Sequence, residues 1–404
     1  SSDLNFFDDL KLRVSAGQTG GQGVSAYATR SRFVVSNYGM GGSLQSGMAE
    51  SRWGGPAAAL LKWETTNQFD IGLDIAFLNN RVNLTVDAYY KKTKDLLLDK
   101  LIPMSSGFSR IQANYGNVTN KGLEISGHFI PVKARNFLWS IDANISFNRN
   151  KVGGLDADQY SDVAWGIENM FLVRNGEPIG TLYGYVEDGF YDNEAEVRAD
   201  PLYRNETDSK VKSMVGEVKY KNLDDDPVID NRDRQIIGNT NPDYQYGITN
   251  TLEWKNWTFS FFLQGTQGND VLNVNLKKFD MASVDNMPYF IYNNRWTAEN
   301  RANAKWPRAN RTSTRFMRAS DRYIEDGSYL RCKNVSLSYR FRHPMKFVES
   351  INLVASVSNL FTISGYSWMD PDVNSFGSDP KRRGVDMASY PSARTFNFGV
   401  QIGF

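Results

Sequence analysis

Cysteine is almost missing from this chain: its 404 residues include Cys332 alone, so no intramolecular disulfide framework can form. Histidine is as scarce, limited to His128 and His343, and the usual zinc ligand sets cannot be assembled from what remains. Neither sign of charge is in excess. Lys and Arg total 46 against 45 for Asp and Glu, a net charge of +1, so no global field draws in nucleic acid. No apolar run reaches the about 18 residues that a membrane-spanning helix needs. Catalytic signatures are missing too, with no nucleophile elbow, HExxH pair or Walker loop, and no enzyme is expected. The chain opens at Ser1 with neither an initiator Met nor a signal stretch, from which we expect a missing upstream portion.

What the chain does contain is alternation. Phe396, Phe398, Val400, Ile402 and Phe404 alternate with Thr395, Asn397, Gly399, Gln401 and Gly403, which puts apolar side chains on one face of a strand and small or polar ones opposite. Phe69 to Phe77, Val82 to Tyr90 and Trp139 to Phe147 repeat the pattern. So do Leu10 to Ala16, Leu123 to Phe129, Tyr244 to Leu252, Trp257 to Leu263, Val335 to Phe341 and Ile351 to Val357. The clearest ladders span about ten residues, enough for a tilted strand to cross a bilayer, and aromatics sit near their ends. Only alternate residues of such a wall face lipid, so a hydropathy scan does not see it.

The links between ladders alternate as well. Short ones fall at Asn79-Asn80, around Pro131 to Asn136, at Lys255-Asn256 and at Arg342 to Ser350, and long polar ones fall between. Bacterial barrels have short periplasmic turns and long extracellular loops in this order. The predicted fold is therefore all-β, a transmembrane antiparallel β-barrel wall with long extracellular loops at about 17–66, 150–240, 265–326 and 362–394. Candidate ligand contacts are the loop aromatics Trp165, Tyr183, Tyr185, Tyr191, Tyr289, Tyr292, Trp296, Tyr366 and Trp368, since rings beside hydrogen-bonding groups suit sugars and peptides. The alternative is that these rings pack the loops against one another.

One segment has the spacing of a calcium loop. Asn222, Asp224, Asp226, Asp230 and Asp233 occupy positions 1, 3, 5, 9 and 12 of an EF-hand-like stretch, and the carbonyl of Val228 supplies position 7. Against a bound Ca²⁺ stand Pro227 where glycine is usual and an Asp at the last position; the alternative is an acidic, water-facing turn.

Several stretches resemble the SusC-like (SusC/RagA) branch of TonB-dependent outer-membrane transporters of Bacteroidetes: LKWETTNQFDIGLD from Leu61, YYKKTKDLLL from Tyr89, GNVTNKGLEISG from Gly116, EPIGTLYGYVEDGFY from Glu177, IIGNTNPDYQYGI from Ile236, DGSYLRCKNVSLSY from Asp326, SNLFT from Ser358 and the closing YPSARTFNFGVQIGF. The resemblance implies that residues 1–404 form the C-terminal part, about ten strands, of a 22-stranded barrel, with the plug and first strands outside this chain. It further implies TonB-energised import of an oligomeric glycan or peptide under a SusD-like lipoprotein lid, in outer-membrane lipid. Cys332 stands where the family usually has a plain apolar residue. Two other readings remain: a soluble β-rich binding or structural protein, and a passive porin-like channel.

Overall fold

The computed structural model describes residues 7–21, 23, 29–30, 33–50, 56, 58, 60–108, 110–163, 167–224, 226–278, 286–310 and 318–404. Its frame is a ten-stranded sheet in which chain order and spatial order coincide. The strands are β1 (Phe7–Gly21), β2 (Glu64–Phe77), β3 (Val82–Lys94), β4 (Asn117–Ala134), β5 (Phe137–Gly153), β6 (Tyr244–Trp254), β7 (Trp257–Gln267), β8 (Tyr329–Met345), β9 (Val348–Ser364) and β10 (Thr395–Gly403). Each pairs antiparallel with the next. Nine of the ten ladders read from the sequence lie inside one of these strands and the last overruns β10 by Phe404 alone, while most strands run past the ends of their ladders.

Register turns the ladders into a continuous apolar surface. Leu12 faces Leu73, which faces Val86, then Ile125, then Ile145. At the far end Phe259 faces Leu337, Ala355 and then Phe398. The face is most open on its edge strands, where Leu12 is 64% exposed and Phe398 84%, and at Phe404 just beyond β10, 88% exposed. A contiguous apolar sheet face of this extent has no place in water and fits a lipid environment. Asn250 is a polar exception on this face, and its Oδ1 accepts from the Trp139 indole at 3.2 Å. Near the short links, aromatic rings gather as a girdle: Trp257 meets Tyr339 edge-on at 4.6 Å, and Tyr339 meets Phe341 at the same distance.

The other face is polar and cross-linked. Arg13 bridges Asp74 at 2.8 Å and Asp87 at 2.9 Å, and Thr85 donates to Asp74 at 3.0 Å. Between β4 and β5, His128 Nδ1 lies 2.7 Å from Asp142, and from β3 Tyr89 donates to Asn148 of β5 at 3.1 Å. Gly122 makes room for that tyrosine, because a Cβ there would sit 2.2 Å from its ring.

The short links are 78–81, 135–136, 255–256 and 346–347, all at one end of the sheet. Left-handed backbone at Asn79 and Asn80 (φ 55° and 57°) and at Lys255 (φ 54°) closes two of them. Pro131, read from the sequence as part of a turn, instead lies within β4 at a register shift between Phe129 and Val132, where a residue without an N–H breaks no ladder bond. β8 likewise reaches Met345, shortening its link. Cys332 is buried beside another register shift and packs as a small apolar side chain.

At the opposite end the long connections are folded, not structureless. Gln159–Val163, Ile167–Val173, Thr181–Gly184 and Gln235–Asn239 make a four-stranded sheet, and Asp270–Asn273, Ile324–Asp326 and Val385–Asp386 make a three-stranded one. Ile167, Phe171, Leu182, Leu272, Tyr323 and Val385 share one buried core, so the β5–β6, β7–β8 and β9–β10 connections fold together as a cap. Two short helices, α1 (Glu194–Ala199) and α2 (Asp208–Met214), start on Asn193 and Thr207, whose side chains accept from the third residue on.

Candidate functional site: the cap and its cavity

The cap encloses a cavity of about 510 Å³ where three connections meet. The β3–β4 connection contributes Asp99 and Arg110, the β5–β6 connection Asp158 to Asp162 with Asn169, and the β9–β10 connection Asp379, Lys381 and Arg382. Most of these charges are locally compensated: Arg110 reaches Asp99 at 3.3 Å, Arg382 reaches Asp379 at 2.7 Å and Arg174 reaches Asp158 at 2.6 Å. Burial alone would raise the Asp379 carboxyl, but the Arg382 guanidinium and the Lys381 amide hold it below the ordinary value. Asp162 accepts from the Asn169 amide at 2.7 Å and so ties two strands of the cavity wall. Tyr160, 43% exposed, offers a ring and a hydroxyl among these charges. Both charge signs, amides and an aromatic on one concave surface suit a polar oligomer.

Behind the cavity runs a row of stacked cations and rings. Arg174 and Arg234 lie 5.7 and 4.8 Å from the Tyr183 ring; Arg234 also lies 5.6 Å from Tyr185, and Arg318 lies 5.1 Å from Tyr185. Arg234 is buried and donates to the carbonyls of Asn169 and Tyr183, at 2.6 and 2.9 Å. Burial lowers its pKa from the ordinary value.

The structure divides the candidate aromatics. Tyr183, Tyr185, Tyr191, Trp296 and Tyr366 are all at least nine-tenths buried and serve the cap's packing. Tyr191 meets Tyr203 edge-on at 5.8 Å and donates to Asp200; the Trp296 indole donates to Asp192 at 3.2 Å; the Tyr366 hydroxyl donates to Asp386 at 2.7 Å. Trp368 is half-buried, and Trp165 lies outside the described residues. Tyr289 and Tyr292 stand out at 78% and 52% exposed, on a helical turn anchored by buried Ile291, with Arg295 stacked 3.9 Å from the Tyr292 ring. None of the eight described ones lines the cavity. The residues that do, led by Tyr160 and Arg382, carried no sequence signal, because three distant connections supply them.

The acidic loop is organised around a cation of its own. Arg232 reaches Asp224 at 3.1 Å, Asp230 at 2.9 Å and also Asp226. Asp233 is buried and does not face that centre; it accepts from the amides of Leu223 and Asp230, both at 2.8 Å, as half of a capping box. Asn222 donates to the Asp226 carbonyl at 2.5 Å, and Val228 is half-exposed and donates its amide to Asp226. Among the described residues no cluster of three metal-ligating side chains is open. The expected outcome is that millimolar Ca²⁺ leaves the thermal unfolding of the native protein unchanged but raises that of Arg232→Ala, where three carboxylates converge without a cation. A Ca²⁺-induced shift in the native protein would show that the ion displaces Arg232.

Comparison with known proteins agrees with this architecture. The family model described as "TonB dependent receptor-like, beta-barrel" matches residues 3–360. TonB-dependent receptor P26 of Formosa agariphila is 34% identical over 98% of this chain and 40% of its own length. TonB-dependent receptor SusC of Bacteroides thetaiotaomicron is 29% identical over 100% of this chain and 38% of its own. The RagAB peptide transporter structure superposes with a TM-score of 0.76 at 20% identity, covering 100% of this chain and 42% of that one. The chain thus spans about 40% of the length of the curated relatives it matches. With a ten-stranded meander, an apolar outer face, short links at one end and a folded cap at the other, it belongs to the TonB-dependent receptor β-barrel family, and its relatives place it beside the SusC-like members.

Proposed function

We propose that this chain supplies wall and outer cap to an outer-membrane importer of an oligomeric nutrient, glycan or peptide, energised through TonB and working with a SusD-like surface lipoprotein. The observation that carries the reading is the cavity among the long connections, whose polar lining carries both charge signs. The resemblance to RagAB, described as a peptide transporter, and to SusC supports it. Among the described residues the outer edges of β1 and β10 have no partner strand, which supports a wall completed by further strands, since unpaired backbone in lipid is costly. The plug and the TonB-contacting segment then belong to that remaining portion.

The test is uptake by cells carrying the full-length protein with Tyr160→Ala and Arg382→Ala together. Losing a charged hydrogen-bonding group and a ring is expected to raise the half-saturating concentration of the imported oligomer roughly tenfold, with the protein's abundance in the outer membrane unchanged. Comparing glycan with peptide oligomers identifies the ligand class, and unaltered uptake of both would remove the cavity from the import route.

A further inference from the structure

Apart from Asn250, the lipid-facing side of the wall is apolar across the middle of its strands, but near the long-connection end it turns cationic on three of them. Register places Lys92 of β3 opposite Thr119 of β4, and Thr119 opposite Lys151 of β5. One row nearer the membrane, Tyr90 is opposite Lys121 and Lys121 opposite Arg149. Tyr90, Lys92 and Lys94 alternate in phase with Leu84, Val86 and Ala88, and Lys121 with Leu123 and Ile125, so these cations share the outward face. Lys121 lies 5.6 Å from the Tyr90 ring, which fixes its direction. Arg149 is paired with Asp243 at 2.6 Å; Lys92, Lys94, Lys121 and Lys151 have no ion pair among the described residues. On the loop-side halves of β1, β2 and β6 to β9, the paired outward positions carry Gln18, Asn67, Tyr246, Gly265, Leu330 and Ile363 instead. A general snorkelling of lysines at strand ends would not confine the charge to three adjacent strands.

Below that cluster the same strands carry a groove of about 310 Å³ in the apolar face. Its floor is Gly127 and Ala143, and Phe129, Ile125, Ile248 and Tyr246 rise around it. A Cβ on Gly127 would lie 2.7 Å from the Phe129 ring, so the depression depends on glycine there. Lys121 stands four residues along β4 from Ile125, about 13 Å at roughly 3.3 Å per residue. Across the sheet, Lys92 and Lys151 are two strands apart, about 10 Å.

An anion site directly above a hydrocarbon groove, both on the lipid side, describes one kind of ligand. We propose that strands β3 to β6 bind a phosphorylated, acylated lipid of the outer leaflet, with phosphate held by Lys92, Lys121 and Lys151 and an acyl chain lying over Gly127 and Ala143. The inference rests on the barrel reading for its orientation, since the long connections must face outward for the cluster to meet that leaflet. Charge complementarity selects the headgroup, and the groove separates a lipid from a free anion.

The experiment uses the full-length protein in detergent and in lipid nanodiscs, probed by native mass spectrometry with diphosphorylated lipid A, its dephosphorylated form and inorganic pyrophosphate. Diphosphorylated lipid A is expected to bind at least about tenfold tighter than the dephosphorylated form, and pyrophosphate alone not to compete at the same concentration. K92Q/K121Q/K151Q is expected to weaken binding of the phosphorylated lipid roughly a hundredfold while leaving the dephosphorylated form unaffected. Gly127→Leu, filling the groove, weakens both acylated forms. Equal binding of the two lipids by the native protein, unaltered binding by the triple variant, or equally tight binding of pyrophosphate would each overturn the proposal. A failure of the barrel reading is distinguishable, because the protein would then stay monodisperse without detergent.

Discussion

Replacing Arg331 with alanine is expected to cost roughly 3–5 kcal/mol and to release the β9–β10 connection from the end of the wall. Arg331 enters from the cap end of β8 and is 1% exposed. Its guanidinium donates to Thr362 Oγ1 at 3.0 Å, Ser392 Oγ at 3.2 Å and Asp372 at 3.4 Å, and it pairs with Asp370, itself 6% exposed. Asp370 accepts in addition from the amides of Asp372 (2.9 Å) and Ser392 (3.0 Å), so both ends of the connection close on one carboxylate. Burial raises that carboxyl, but these donors and Arg331 more than offset it, and the net shift lies below the ordinary 3.8. A carboxylate depressed by folding stabilises above its ordinary pKa, and that stabilisation is lost as pH falls through the folded value. Acid should therefore mimic the alanine variant. Limited proteolysis within 365–394 and thermal unfolding of the full-length protein in detergent measure both effects. The paired change Arg331→Met with Asp370→Leu should recover much of the loss, since two apolar groups leave no charge stranded. If Arg331→Ala left the cleavage pattern and unfolding temperature as in the native protein, the pair would not be what holds the connection.

The contrast between wall and cap shows where sequence carries structure. All ten wall strands were legible because one solvent, lipid, meets every second side chain, and period-2 alternation is its direct imprint. Strand ends were less so. β4 was read as Leu123 to Phe129 but runs Asn117–Ala134, because above the apolar band Asn117, Thr119, Asn120 and Lys121 are polar on both faces and the period disappears. The cap was read as loops for the opposite reason. Met170, Phe171, Leu172 and Val173 are buried on both faces, so the strand reads as a short apolar run without alternation. Its partners lie far along the chain, in a core assembled from three connections. The candidate aromatics divide on a property that spacing does not encode: Tyr183 and Tyr289 look alike in sequence, yet one is closed beneath Arg234 and the other is open. In the acidic loop, spacing reported the carboxylates correctly but not their counter-ion, Arg232, which sat within the same stretch.

A single pair of neighbouring positions tests the two-faced wall. Leu337 is near the middle of β8, faces Phe259 and Ala355 across the outward surface and is 42% exposed. Ser338, one residue on, faces Thr258 and Val354 on the inward side. Leu337→Arg is expected to destabilise the folded barrel by roughly 2–4 kcal/mol, because it places a guanidinium at mid-depth in hydrocarbon, whereas Ser338→Arg points into the polar interior and should cost under about 1 kcal/mol. The two substitutions introduce the same side chain at adjacent positions of one strand, so the cost of placing an arginine in β8 as such is common to both. Urea-driven folding into phospholipid vesicles, followed by the heat-dependent gel shift of folded barrel, measures the difference. Equal costs would mean that β8 does not separate lipid from lumen, and the inverse order would mean that the outward and inward faces are exchanged. The predicted order requires nothing beyond the pleat, which sends Leu337 and Ser338 to opposite sides of a sheet whose outer side has no water to solvate a charge.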